Sequence, residues 1–145
     1  MSVDLWYGFL ITGAHTIGTS HCSSFSSRLY NFTGNGDMDP SLDKNYAAHL
    51  KIVCKPNDNK TIVEMDPGSF RTFDTHYYVN LKKRRGLFHS DDALLSSSEA
   101  EAYVNTELQF PSFFSDFATS MQKMGTIGVL TGSAGQIRRH CAFTN

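Results

Sequence analysis

The chain has 145 residues, of which 40% are hydrophobic, including 11 Phe and 6 Tyr. This composition is sufficient for one packed domain and argues against disorder. The formal net charge of −1 predicts no long-range attraction to nucleic acid or to an anionic membrane. The longest apolar run, residues 5–11, is far shorter than the roughly 20 residues of a transmembrane helix. The first residues lack a basic region, so we expect no signal peptide and no membrane span.

The spacing of apolar residues predicts a mainly α-helical chain with long loops and little strand. An apolar helix is expected from about Val3 to Ala14, and a short helix is expected from Ser20 to Tyr30. The next helix is predicted to begin with Asp39 as its cap and Pro40 in its first turn. Its apolar face comprises Leu42, Tyr46, Leu50 and Val53.

Cap residues place the two helices that follow. Asp74 is predicted to cap a helix that runs to about Arg84 and ends at Gly86. Ser90 is predicted to cap a short helix that begins at Asp91.

The last two helices are predicted from a capping box and an apolar stripe. Ser98 and Glu101 form the box that opens the first of them. The second follows Pro111 and ends at Gly125, with an irregular, glycine-rich tail after it. Its stripe is typical of core packing. The stripe comprises Phe110, Phe113, Phe114, Phe117, Met121 and Met124.

His15 lies at the predicted end of an apolar helix, next to Gly13 and close to Gly18. Small neighbours would allow a bulky group to approach this histidine closely. Three interpretations remain open from the residues alone. His15 is a buried core histidine, or it binds zinc together with His21 and Cys22. Alternatively, His15 activates Cys22 as a nucleophile.

The chain contains three cysteines, Cys22, Cys54 and Cys141. A bridge between the first two would close a loop-and-helix segment and would stabilise the fold by roughly 3–4 kcal/mol in an oxidising compartment. Cys141 would then remain unpaired. Sequons at Asn31 and Asn59 also suit a secreted protein.

Oxygen-bearing side chains cluster around the Pro-Gly turn of the central loop, at Asp66, Ser69, Thr72 and Asp74. Calcium prefers several oxygen ligands, including carboxylates. The alternative is an acidic surface loop in which Asp74 only caps a helix. Asp91 is open to two similar interpretations, as a helix cap or as the carboxylate that orients a metal-bound histidine.

Five segments resemble one known family in their order and spacing. They are "GAHTIGTSHCSSFSSRLYNF", "MDPGSFRTFDTHYYVNL", "KRRGLFHSDDALL", "SFFSDFATSMQKMG" and "LTGSAGQIRRHC". These segments resemble the plant secretory haem peroxidases of class III, from about Gly13 to the C-terminus. The resemblance implies the two-domain, all-α haem peroxidase fold. It further implies that residues 1–145 form the proximal, C-terminal half, without the distal N-terminal half.

The resemblance also assigns roles to individual residues. His15 matches the ligand of the haem b iron. Asp91 matches the catalytic carboxylate that accepts a hydrogen bond from the other ring nitrogen of that histidine, which makes the imidazole strongly electron-donating. Cys22 and Cys54 match a family disulfide, whereas Cys141 matches a cysteine whose partner lies in the other half. The implied calcium ligands are Thr16, Asp66, Ser69, Thr72 (through its carbonyl) and Asp74.

The implied reaction is the oxidation of phenolic donors by hydrogen peroxide, which removes peroxide and serves the response to oxidative stress. The family motif R-L-H-F-H-D-C, which supplies a distal Arg and His, is not found in these 145 residues. The acid–base part of catalysis contributes roughly 10²–10⁴-fold, so we expect this chain alone to be weak or inactive.

The alternatives are a non-catalytic remnant that binds haem or calcium and an interaction domain, with a separate distal half as a partner. The family is secreted to the cell wall or the vacuole.

Overall fold

The computed structural model describes residues 11–109 and 112–145, which form a mainly helical fold and confirm the predicted class. The helices are α1 Ser26–Tyr30, α2 Lys44–Val53, α3 His76–Lys82, α4 His89–Ala93, α5 Ser98–Gln109 and α6 Phe113–Met124. Short 3-10 turns lie at Gly13–Thr16, Cys22–Ser24 and Gly132–Ala134. The helix predicted from Val3 to Ala14 lies largely outside these ranges. None of the described helices is long and apolar enough to cross a membrane.

The prediction of one helix from Ser20 to Tyr30 was wrong in its first half. Strand β1, Thr19–His21, pairs there with strand β2, Ile62–Glu64, in an antiparallel ladder. The Cys22 amide extends this pairing by donating to the Thr61 carbonyl at 3.0 Å. Because backbone groups of residues 19–22 bond to the distant segment at residues 61–64, these residues do not form the predicted α-helix, and α1 begins only at Ser26.

Two hydrophobic clusters form the core. The first surrounds the disulfide between Cys22 and Cys54, which confirms the predicted bridge. The buried members of the first cluster are Cys22, Phe25, Leu29, Leu42, Ala47, Leu50, Cys54 and Leu87. The buried members of the second are Tyr77, Tyr78, Leu81, Leu94, Tyr103, Val104 and Phe113. Cys141 is a free, exposed cysteine.

Arg28 is a fully buried cation that connects α1 to the segment before α4. Its Nε lies 2.7 Å from Asp39 Oδ2, and its Nη1 donates to the carbonyls of Gly86 and Phe88, each at 2.8 Å. Asp39 was predicted to cap α2, and this was wrong because its carboxylate binds Arg28 instead. Asp43 caps α2 by accepting the Tyr46 amide at 2.8 Å.

Asp74 Oδ1 accepts the amide of His76, the first residue of α3, at 2.8 Å, which agrees with its predicted role at this helix start. The C-terminal end of α3 and the start of α4 differ from the predictions. The chain leaves α3 through Arg84, whose φ of 59° is left-handed, and not through Gly86. Gly86 is required for a different reason, because a Cβ there would lie 2.4 Å from the Cβ of Asp91. Ser90 lies inside α4, and the Asp91 carboxylate caps this helix by accepting the Phe88 amide at 2.8 Å.

The start of α5 differs from its predicted cap by one residue. Ser98 is the first residue of this helix, and the Ser97 hydroxyl accepts the Ala100 amide at 3.2 Å.

The apolar stripe of α6 is only partly core. Phe113 is buried, whereas Phe114 is 53% exposed and Met121 and Met124 are also exposed. Gly125 ends this helix as predicted, and Phe110 lies outside the described residues. The core interpretation of the stripe therefore holds for one edge of α6, and the other edge faces outward.

Removal of the Arg28 charge should destabilise the fold strongly. We expect Arg28→Met to lower the free energy of unfolding by about 3–5 kcal/mol, because Asp39 would remain as an uncompensated buried charge. Urea unfolding measures this change. Arg71→Met is the control, since Arg71 is exposed. The double variant Arg28→Met with Asp39→Leu should lose less unfolding free energy than the single variant Arg28→Met. A loss below about 1 kcal/mol in the single variant would contradict the assignment of Arg28 and Asp39 as a stabilising buried ion pair.

Glu107 predicts a pH dependence of stability. It is buried in α5, and burial raises the pKa of its carboxyl group, although the Ser112 hydroxyl donates to it at 3.0 Å. A raised pKa means that its stabilising contribution is present below the unfolded pKa and is lost as the pH rises through the folded pKa. We therefore expect Glu107→Gln to be more stable than the wild type at about pH 7, with the difference shrinking towards about pH 4. Glu99→Gln is the control, because Glu99 is exposed. Thermal unfolding between about pH 4 and pH 7 measures the stability of both variants relative to the wild type, and the same pH dependence in both would refute the expectation.

Candidate functional site

His15 lies in the 3-10 turn Gly13–Thr16, against which α3 packs. Its Nδ1 lies 2.8 Å from Oδ1 of Asp91, which comes 76 residues later in α4. A carboxylate accepts hydrogen bonds, so this contact assigns the proton to Nδ1, and in the neutral imidazole Nε2 then keeps its lone pair. Nε2 forms no hydrogen bond within residues 11–109 and 112–145, and the side chain is 26% exposed. The ring therefore has one nitrogen fixed by the protein and one available as a ligand.

Two aromatic rings limit the orientations of the His15 imidazole. The Phe88 ring lies at 4.8 Å between centroids, and the Tyr77 ring lies edge-on at 6.1 Å. The imidazole is held by these contacts as well as by its hydrogen bond.

The Asp91 carboxylate is buried, and hydrogen-bond donors from three segments satisfy it. Oδ1 accepts from His15 and from the Tyr77 hydroxyl, each at 2.8 Å, and Oδ2 accepts from the Phe88 amide. Burial raises the pKa of the Tyr77 phenol, and the negative charge of Asp91 raises it further. The phenol therefore stays protonated and remains a donor. A buried carboxylate would be costly without such partners.

A set of oxygen atoms lies beside this histidine. The Thr16 hydroxyl donates to the Asp74 carbonyl at 2.8 Å and lies 3.3 Å from the Thr72 carbonyl. The Ser69 hydroxyl donates to Asp74 Oδ2 at 2.7 Å. Four of the five residues predicted as calcium ligands are therefore joined by direct contacts.

Asp66, the fifth residue, is fully buried and has one unsatisfied oxygen. Its Oδ1 lies 3.0 Å from His76 Nδ1 and 2.6 Å from Asn80 Nδ2. Its Oδ2 has no hydrogen-bond partner within the described ranges. Burial raises the pKa of Asp66, against the opposing effect of the Asn80 hydrogen bond. A buried carboxylate oxygen without a donor fits a site that takes a cation.

The described residues contain no group of three or more His, Cys, Asp or Glu that could hold a metal. This observation is compatible with the predicted calcium ligands, which include only two carboxylates. The remaining oxygens belong to hydroxyl and carbonyl groups, so the calcium site stays a prediction.

Two alternatives for His15 are excluded by the disulfide. The Cys22 sulfur is bonded to Cys54, so it is neither a zinc thiolate nor a nucleophile. Gly13 was expected to be small so that a bulky group could approach His15, and the structure gives a further reason. A Cβ at Gly13 would lie 2.6 Å from the Phe113 ring, so this glycine permits packing within the protein.

The sequence interpretation missed Tyr77, His76 and Asn80 as contributors to the site. All three lie on α3, which begins two residues after Asp74. The one available signal was Asn80, a polar residue among the apolar positions of a short helix. Tyr77 gave no signal, because a tyrosine in an apolar face is ordinarily a core residue.

Comparisons with known proteins agree with the resemblance described above. The sequence model of the peroxidase family matches residues 9–109. Peroxidase 3 of Arabidopsis thaliana is 59% identical over 147 residues, which cover 99% of this chain and 45% of that protein. Peroxidase 27 of the same plant is 55% identical, and Peroxidase 1 of Oryza sativa subsp. japonica is 51% identical. The chain spans less than half the length of these relatives, with 43% and 46% of the latter two covered. On both the family match and these identities, the chain belongs to the peroxidase family.

Proposed function

We propose that this chain is the haem-holding part of a peroxidase that oxidises phenolic donors with hydrogen peroxide. The observation that carries the proposal is the 2.8 Å contact between His15 Nδ1 and Asp91, which leaves Nε2 with a free lone pair. A neutral imidazole oriented by a carboxylate is the arrangement that makes histidine a strong metal ligand. His15 would hold the iron of haem b, which supplies the oxidation–reduction chemistry when it is bound.

The protein's own groups give this site two properties. Asp91 keeps the Nδ1 proton in place, so that Nε2 is the ligand nitrogen and the ring cannot reverse its orientation. The Phe88 and Tyr77 rings lie against the imidazole, and apolar surroundings strengthen a hydrogen bond such as the one to Asp91.

Calcium is the second cofactor in this proposal. Thr16, Asp66, Ser69, Asp74 and the carbonyl of Thr72 would hold it, and the partnerless Oδ2 of Asp66 supports this assignment. Since Thr16 follows His15 directly in the chain, an ion bound here would also fix the turn that carries the histidine. Loss of calcium should therefore loosen that turn.

The proposed setting is an oxidising compartment, namely the cell wall or the vacuole, where the enzyme removes hydrogen peroxide in the response to oxidative stress. The Cys22–Cys54 disulfide supports such a compartment, because disulfides persist under oxidising conditions.

A second candidate function is a haem- and calcium-binding protein without turnover of its own. It is supported by the same pair of His15 and Asp91, because an oriented imidazole suits metal ligation without any further chemistry at this site.

Haem binding is expected to depend on His15. Titration of the purified chain with ferric haem should give a Soret band of a histidine complex, and His15→Ala should lose it, with partial recovery on addition of imidazole. His49→Ala is the control, because His49 is exposed on α2. An unchanged spectrum in His15→Ala would contradict the proposal. A peroxide-dependent guaiacol assay on the same samples separates the two functions, since haem binding without turnover favours the second.

Calcium is expected to stabilise the fold through Asp66. At a calcium concentration about 100-fold above Kd, the free energy of unfolding should rise by about 2.7 kcal/mol. Asp66→Asn should abolish this increase in thermal or urea unfolding. Asp58→Asn is the matched control, since Asp58 accepts loop amides from Lys60 and Thr61 and is not one of the predicted calcium ligands. An equal response of Asp66→Asn and the wild type to calcium would refute the site.

A further inference from the structure

Tyr77 makes a contact that the roles described so far do not include. Its hydroxyl donates to Oδ1 of Asp91 at 2.8 Å, and His15 Nδ1 lies at the same distance from the same oxygen atom. The side chains of Tyr77 and Asp91 are both only 1% exposed, so water does not compete for this oxygen. One carboxylate oxygen is therefore shared between a phenol and the candidate iron ligand.

We propose that Tyr77 is a positioning residue that limits the negative charge which Asp91 presents to His15, and that it thereby sets the donor strength of Nε2. The inference rests on the proposed function, in which Nε2 binds iron. It adds Tyr77 to the pair of His15 and Asp91, and it predicts that the Tyr77 hydroxyl weakens the donor strength of Nε2.

The physical reason lies in the sharing of one acceptor. A hydrogen bond from the phenol withdraws electron density from Oδ1, so this oxygen attracts the Nδ1 proton less strongly. The Thr12 side chain also hydrogen-bonds to Tyr77. If the phenol accepts a hydrogen bond while it donates one, its own donation becomes stronger. The imidazole consequently has less anionic character than it would have with Asp91 alone.

Loss of the Tyr77 hydroxyl should increase the negative charge at Oδ1 of Asp91 without moving the Asp91 side chain. Oδ2 remains bonded to the Phe88 amide at 2.8 Å, and the Asp91 Cβ remains packed against Gly86. The ring of Phe in Tyr77→Phe would keep its edge contact with Tyr78, which lies at 5.3 Å between centroids. With both anchors retained, the hydrogen bond from His15 to Asp91 should become stronger.

Tyr77→Phe tests the inference with three measurements. In the chain without haem, NMR of nitrogen-15-labelled protein should show the Nδ1 proton of His15 shifted downfield. In the haem-loaded chain, the iron reduction potential should shift to a more negative value, and the iron–histidine stretching frequency should rise. Tyr78→Phe is the matched control, because Tyr78 is an equally buried tyrosine next in sequence and makes no hydrogen bond to Asp91. It should leave all three quantities unchanged.

An unchanged or upfield Nδ1 signal in Tyr77→Phe would overturn the proposal, as would a potential that stays constant or becomes more positive. Incorporation of fluorotyrosine at position 77 keeps the shape of the side chain and makes the phenol a stronger donor. It should move each quantity in the opposite direction, and no movement would again overturn the proposal. Failure of the wild type to bind haem would refute the proposed function, whereas the NMR comparison would still decide the role of Tyr77.

Discussion

The buried carboxylate of Asp91 is the group on which the arrangement of the site depends. A carboxylate without water needs donors for both oxygens, and the available donors come from three separate segments. The His15 imidazole, the Tyr77 phenol and the Phe88 amide each donate to it. Because His15 lies 76 residues before Asp91, satisfying this one group brings the N-terminal turn onto α4. The hydrogen bond that orients His15 as a metal ligand is thus also one of the hydrogen bonds that the buried Asp91 carboxylate needs.

Arg28 extends this dependence to the first hydrophobic cluster. Its guanidinium binds Asp39 and the carbonyls of Gly86 and Phe88, and so fixes the segment that leads into α4. The missing side chain of Gly86 then allows the Asp91 side chain to approach within a distance that a Cβ at position 86 would prevent. Two requirements that look unrelated, a paired buried cation and a glycine, together place one carboxylate. We expect substitutions of Arg28 or Gly86 to change the position of His15 through Asp91, although neither residue contacts the histidine.

The sequence predicted the helical class, the Cys22–Cys54 bridge and the end of α6, because apolar spacing, cysteine pairing and helix stops are local or strongly patterned features. It failed at the starts of α2 and α4, although Asp74 accepts the first amide of α3 as predicted. Asp39 and Ser90 have the residue types of caps, yet the Asp39 carboxylate is bound by a buried arginine and the α4 cap is Asp91. Cap preferences describe a helix end in isolation, whereas tertiary partners decide which carboxylate remains free for it. Tyr77 was missed for the same reason, since its hydroxyl partner belongs to another helix.

The two buried carboxylates of the site show what the structure adds to the residue pattern. The sequence leaves two interpretations open for each of these residues. Asp66 is a calcium ligand or part of an acidic surface loop, and Asp91 is a helix cap or the carboxylate that orients a metal-bound histidine. Their hydrogen bonds distinguish them. Both oxygens of Asp91 accept from protein donors, so this carboxylate serves the histidine. Oδ2 of Asp66 finds no donor in the described part of the chain, although the residue is fully buried. A bound cation would satisfy an oxygen in that position, and this is the reason why the proposed calcium site includes Asp66 and not Asp91.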